Sequence, residues 1–296
     1  MPTNIRPLHF VFKISSRTKT IDFYRNILHM KILRHEEFSE GCDAACNGPY
    51  DGKWSKTMVG YGSEDNNFVV ELTYNYGIRS YDRGNDFNYL RVNSNSVYDN
   101  ILTKSYPSKL TPEGLFEIHD PDGYKFLVGK SDSTENSLTA LSLFVTDLEK
   151  SKNYWSGILR GKLNSQDSSR LQVNFDYLNF GLILEKSTEE KIDHAKAYGR
   201  VAFSCPTEEL KPLQADIENN NQTVLTPYIQ LDTPGKATVS VVILADPDGH
   251  EICFVGDKEF KDLSQVDPKA DSLLDEAINA DKSDEWHEKK NRKNLK

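Results

Sequence analysis

Apolar and polar positions along this chain of 296 residues fall into short runs of strand period, interrupted by four stretches of helical period. Runs at 7–14, 30–38, 55–62 and 68–74 read as strands, with a helix over 17–29 after the first. The same order returns three times. Strand 87–93 precedes a helix at 95–105 and strands at 114–119 and 124–129. Strand 139–145 precedes a helix at 147–159 and strands at 163–167, 171–177 and 180–185. Strand 199–205 precedes a helix at 207–219 and strands at 222–231, 238–245 and 251–255. Asp147, and Thr207 with Glu208 and Glu209, are start signals for their helices. The pattern predicts an α+β fold of four tandem βαβββ units.

The units are grouped in pairs. Asp120-Pro121-Asp122-Gly123 and Asp246-Pro247-Asp248-Gly249 lie 126 residues apart, and each opens an apolar strand. Asp-Pro sets the turn and Gly supplies its positive φ, so each copy reads as a hairpin corner. Thr20 to Leu28 resembles Ser151 to Leu159 at an offset of 131 residues. Two nearly equal offsets from unrelated segments make the chain an internal duplication. The predicted division is a first domain over 1–130, a polar linker, a second domain over 138–257, and a charged tail over 258–296. Within the tail, 268–280 carries an apolar stripe (Leu273, Leu274, Ala277, Ile278) suited to a docked helix, and the last residues are expected to fray.

Composition narrows the function classes. A net charge of −9 argues against general nucleic-acid binding. No apolar run is long enough to span a membrane, and no signal-peptide segment opens the chain. Four cysteines do not make a disulfide framework, and Cys42 and Cys46, spaced C-x3-C with no second ligand pair nearby, read as free thiols of a loop, a metal-holding pair being the lesser alternative. The expected location is the cytoplasm. Neither a Gly-rich phosphate loop nor a G-x-S-x-G nucleophile pattern is present. His35, His119, His194 and His250 lie near turns and read as surface residues, and Arg34 to Glu37 as a solvated charge run.

The unit order and the two Asp-Pro-Asp-Gly corners, with Leu33 to Phe38, Cys46 to Thr57, Thr233 to Ala237 and Val242 to Gly256, resemble the vicinal-oxygen-chelate superfamily, which includes glyoxalase I. The resemblance covers the chain from Leu8 to Trp286. It implies that two such domains form cups, one holding a divalent metal (zinc, nickel or iron) that stabilises an enediolate during proton abstraction. It also implies a mitochondrial pool beside the cytoplasmic one.

Carried over residue by residue, the first-unit ligand positions hold His9 and Glu71, with Glu71 as the catalytic carboxylate. A buried His-Glu ion pair is the alternative. The second unit has Phe87 and Leu127 there, which ligate nothing. If unit one faces unit four, the facing positions are Arg200 and Cys253. The metal set is then His9, Glu71 and Cys253, with Arg200 placed to pair with Glu71 or to bind substrate. The other cup offers Phe87, Leu127, Ala140 and Glu185. Glutathione as co-substrate implies carboxylate contacts from Lys13, Asn75 and Arg83, although Lys13 and Arg83 equally suit exposed cations. The loop Gly48 to Lys56, with Lys53 and Lys56, reads as an anion-binding lid. Two functions stand open. One is a lyase acting on the methylglyoxal-glutathione hemithioacetal. The other is a non-catalytic protein that keeps an anionic-metabolite pocket or a docking surface for partners not specified by the sequence.

Overall fold

The computed structural model describes residues 4–175, 178–232 and 237–294. Unit one is β1 (Arg6–Ile14), α1 (Arg17–Asn26), β2 (Lys31–Phe38), β3 (Trp54–Gly60) and β4 (Val69–Asn75). Unit two is β5 (Phe87–Asn93), α2 (Asn95–Thr103), β6 (Lys109–Leu110), β7 (Phe116–His119) and β8 (Lys125–Gly129). Unit three is β9 (Ser137–Val145), α3 (Leu148–Lys152) continued as a π-helix over Asn153–Ile158, β10 (Lys162–Gln166), β11 (Arg170–Asn174) and β12 (Gly181–Lys186). Unit four is β13 (Arg200–Cys205), a 3₁₀ turn over Thr207–Glu209, α4 (Leu210–Asn219), β14 (Thr223–Asp232), β15 (Thr238–Ala245) and β16 (Glu251–Gly256). The tail forms α5 (Asp257–Leu263), α6 (Ala270–Ala280) and α7 (Ser283–Asn294). The strand expected over 171–177 ends at Asn174, and 176–177 lie outside the described residues, as do 233–236 of the Thr233 to Ala237 segment.

Helix starts follow side-chain chemistry. Ser16 accepts from Lys19 N, Ser94 from Val97 N, and Asp147 from Glu149 N and Lys150 N. Each fills a donor the first helical turn leaves open.

Two eight-stranded sheets result, and neither follows chain order. One runs β14-β15-β16-β13-β1-β4-β3-β2, uniting units four and one, as the facing of unit one and unit four requires. The other runs β10-β11-β12-β9-β5-β8-β7-β6, uniting units three and two. In each, the central seam joins the first strands of two units antiparallel, β1 with β13 and β5 with β9. The main core packs the helices against the sheets, with Trp155, Tyr24, Phe12, Phe126, Phe203 and Phe254 fully buried.

The two corners repeat one geometry. Asp120 and Asp246 each accept from the backbone two and four residues on, and Gly123 and Gly249 take φ of 87° and 91°. Asp122 then accepts from Ser15 N, and Asp248 from Thr146 N. The corners therefore tie unit two to unit one and unit four to unit three by equivalent contacts.

The tail carries two corrections. α6 docks on β2 through Leu274, which is fully buried, while Leu273 is exposed. The segment expected to fray is helical as α7 through Asn294. Because the tail covers β2, the run Arg34 to Glu37 is not solvated. Arg34 and His35 are buried, and Arg34 donates to the Leu263 carbonyl.

Candidate active site

All eight strands of the first sheet contribute to one cavity of about 940 Å³. Strand alternation decides what enters it. On β1, Phe10, Phe12 and Ile14 join the main core, whereas His9 and Val11 line the cavity. On β4, Val70, Leu72 and Tyr74 go to the core and Glu71 to the cavity. β13 and β16 supply Arg200 and Cys253. The four residues expected on unit one and unit four thus converge.

His9 is held from both sides. Its Nδ1 donates to Glu64 Oε1 at 2.5 Å, and its Nε2 lies 3.4 Å from Glu71 Oε2. Glu64 also accepts from Arg34 Nη2 at 2.9 Å, and Glu71 accepts from the Thr73 hydroxyl at 3.3 Å. Burial would raise the Glu64 carboxyl, but the charges of His9 and Arg34 overcome it and hold the group below its ordinary value. Glu64 is the residue that sequence reasoning missed. It sits in the polar turn Gly62 to Asn67, where neither periodicity nor a motif marks it as buried.

Arg200 does not pair with Glu71. Its Nε and Nη2 reach Glu251 Oε2 at 2.8 and 2.7 Å, and Nη2 also donates to the Ala44 carbonyl. The reason is register: Arg200 and Glu251 are direct cross-strand partners on β13 and β16. Burial pushes the Cys253 thiol up to about 11, so it is protonated near neutrality. Lys56, paired with Glu36 at 3.2 Å, adds a second cation to the cavity wall.

This set does not fit a resident metal. Opposite His9 and Glu71 stands the Arg200 guanidinium, which has no lone pair to offer and whose fixed positive charge opposes a cation. Among the described residues, the ligand atoms that gather within 4.8 Å of one another belong to Asp86, His194 and His250, not to His9, Glu71 and Cys253.

Lys13, Asn75 and Arg83 are not among the cavity-lining residues. Lys13 is buried, donates to the Tyr198 carbonyl at 2.7 Å and sits 3.8 Å from the Tyr198 ring centroid. Burial pushes its amine down to about 8. Asn75 exchanges hydrogen bonds with Asn47 and donates to the Tyr81 hydroxyl. Arg83 lies between units one and two and donates to the Gly123 carbonyl.

Both 39–46 and the end of the loop expected as a lid line the cavity, the latter through Lys53, Trp54 and Lys56. Ser39 to Cys42, Asp43 and Cys46 line it, while Trp54 to Lys56 belong to β3 and Trp54 stacks on Phe38. Cys42 and Cys46 are joined as a disulfide, which corrects their reading as free thiols. Their Cα atoms stand 5.4 Å apart, within ordinary bridging distance.

The second cup is apolar. Tyr89, Ala140, Ile183 and Leu127 pack together, with Glu185 accepting from Ser142 at its side. Phe87 does not face it. A register shift between Phe87 and Tyr89 turns Phe87 onto Phe10 and Phe12 in the core. Three of the four histidines read as surface residues are not: His35 and His250 are buried and His194 is half-buried, each hydrogen-bonded. No helix among the described residues is long and apolar enough to cross a membrane.

Comparisons with known proteins agree with this architecture. Residues 147–263 match the family model described as glyoxalase domain-containing protein 4-like, C-terminal domain. Glyoxalase domain-containing protein 4 of Mus musculus is 52% identical over 97% of either chain. Glyoxalase 1 of Caenorhabditis elegans is 47% identical, covering 95% of this chain and 99% of its own. The crystal structure of glyoxalase I from Zea mays shares the fold, with a TM-score of 0.70 at 24% identity over 87% of this chain and 94% of that one.

Proposed function

Because the chain belongs to the glyoxalase domain-containing protein 4 family, we propose that the cup of units one and four is a glyoxalase-type site. Its substrate is a small anionic adduct of a thiol with a 2-oxoaldehyde, the methylglyoxal-glutathione hemithioacetal being the first to test. The observation that carries this reading is Glu71 beside His9, 3.4 Å apart on the wall of a cavity that also holds Arg200 and Lys56.

The chemistry is an isomerisation. Glu71 takes the proton from the carbon bearing sulfur. The freed electron pair forms the carbon–carbon double bond, and the former carbonyl oxygen takes up the negative charge. Arg200 and Lys56 supply the opposite charge. The proton then returns to the adjacent carbon, the hydroxyl proton passes to the neighbouring oxygen, and a thioester of a 2-hydroxy acid results. His9, fixed by Glu64, keeps Nε2 toward Glu71 throughout. No step runs through a metal, since the ligand set does not fit one. With Lys13, Asn75 and Arg83 engaged elsewhere, the carboxylates of the thiol partner fall to Lys53, the more exposed lysine of the cavity lining.

A second reading is a pocket that binds the same anion without turnover. It is favoured by one observation, the commitment of Arg200 to Glu251 and Ala44. Thioester formation by chelator-treated protein, measured beside calorimetry with S-methylglutathione, separates the two. Turnover supports the first reading, binding without turnover supports the second, and neither signal overturns both.

A further inference from the structure

The duplication repeats its corner contacts but changes their chemistry in one copy. In the first half, the Tyr124 hydroxyl donates to the Lys13 carbonyl, and Arg83 donates to the Gly123 carbonyl. In the second half, His250 Nε2 donates to the Phe144 carbonyl at 2.7 Å, and His194 Nε2 donates to the Asp248 carbonyl at 2.9 Å. His250 thus makes the contact of Tyr124, while His194 reaches the same corner as Arg83 does, one carbonyl earlier. Each histidine brings a second ring nitrogen that the structural task does not use.

Those second nitrogens have a destination. Asp86, which precedes β5, is fixed by accepting from Phe87 N at 2.7 Å, and its other oxygen lies 2.9 Å from His194 Nδ1. The rings of His194 and His250 meet edge to face with centroids 5.1 Å apart. One ligand atom from each of Asp86, His194 and His250 lies within 4.8 Å of the other two. Gly249 makes room: at φ 91°, a Cβ there would approach His194 Nε2 to 3.0 Å.

We infer that Asp86, His194 and His250 form a binding site for one zinc-type divalent cation, distinct from the cup, at the junction of the two sheets. The donor set, two imidazoles and one carboxylate, suits zinc with a water in the fourth position. Both histidines already donate their far ring nitrogen to a backbone carbonyl. That outer contact is what orients a ligating imidazole and selects its tautomer. The proton shared by His194 and Asp86 is the group the cation replaces, so binding releases it. The three ligands come from the segment entering β5, the segment entering β13 and the corner before β16. One ion therefore clasps units two and four together. None of the three lines the catalytic cavity.

The test is a titration of the full-length protein with zinc chloride, followed by calorimetry and by the thermal transition. Wild type and the His9→Gln variant should each bind one equivalent and melt at higher temperature with it, as any ligand of the native state requires. His194→Gln and His250→Gln should each weaken binding by at least ~10–100-fold, the loss that even outer partners of zinc sites produce. Far-UV circular dichroism confirms that each variant is folded, and agreement between the two variants guards against misfolding of either one. The inference is overturned by wild type that binds no stoichiometric zinc. It is equally overturned by binding that survives both histidine substitutions, or that disappears in His9→Gln.

Discussion

Nε2 of His9 lies 3.4 Å from Oε2 of Glu71, although 62 positions separate them in the chain. The parallel pairing of β1 with β4 sets His9 opposite Val69 and Val11 opposite Glu71, which makes His9 and Glu71 diagonal neighbours on one face. Glu64 behind His9 gives the imidazole its orientation, so the arrangement is a line of carboxylate, imidazole and carboxylate opening into the cavity.

Removal of Glu64 tests how much the fold depends on that line. Glu64→Ala strands Arg34 and His9 in the interior, and one-sided loss of a buried ion pair costs about 3–5 kcal/mol. Urea denaturation should register a fall of that order with the slope unchanged. A shift under about 1 kcal/mol would mean that water or backbone replaces Glu64 at no cost.

Acid sensitivity has a second source in Glu37. Burial acts to raise its carboxyl, but hydrogen bonds from His35, Tyr76 and Lys53 and the charge of Arg17 hold it at about 2, against 4.5 ordinarily. A carboxylate depressed on folding stabilises above its unfolded value and loses that contribution as pH falls through its folded value. The stability gap between wild type and Glu37→Gln should be constant above pH 4.5 and close between about 4.5 and 2. Urea midpoints at successive pH values measure it, and a gap independent of pH would contradict the pairing.

Lys13 makes the opposite demand. Its folded value of about 8 lies below the ordinary 10.5, so between those values the unfolded chain holds the extra proton and stability rises with pH. Wild type should gain stability relative to Lys13→Met across pH 8 to 10. The same variant should leave affinity for S-methylglutathione within about twofold, because Lys13 faces Tyr198. A tenfold loss of affinity would return Lys13 to the binding site.

The loop over 41–51 is anchored by Asn75. Asn75→Ala removes its exchange of hydrogen bonds with Asn47, at a cost of roughly 1–3 kcal/mol for stranded buried groups. Limited proteolysis should then cut faster within 41–51. An unchanged cleavage rate there would show that the Cys42–Cys46 bridge and the Arg200 bond to the Ala44 carbonyl hold the loop without Asn75.

Much of the fold is legible in the sequence. β5 and β15 fall on the same residues in pattern and structure, because short, largely apolar runs bounded by polar or turn residues are a strong local signal. The two repeat offsets correspond to real contacts, Asp122 with Ser15 and Asp248 with Thr146. β6 escaped notice because two exposed residues carry no period. Arg34 and His35 look solvated in the chain, since the partners that hold them inside, Glu64 and Leu263 for Arg34 and Thr57 for His35, are distant in sequence.

Within the cup, strand position alone brings His9, Glu71, Arg200 and Cys253 together. Partner choice was not legible. Arg200 turns to Glu251 through cross-strand register, and His9 turns to Glu64 through a loop whose path no periodicity encodes. Lys13 and Asn75 occupy the expected strand positions, yet the loop over 41–51 and Tyr198 engage them first.

The central claim is that Glu71 is the base of this cup. The direct measurement is kcat for thioester formation from methylglyoxal and glutathione by wild type and by Glu71→Gln, with affinity for S-methylglutathione measured beside it. Loss of a positioned general base costs about 10²–10⁴ in rate. The account predicts a fall of that size in kcat with affinity changed by less than about threefold. A Glu71→Gln protein that keeps wild-type kcat would contradict it.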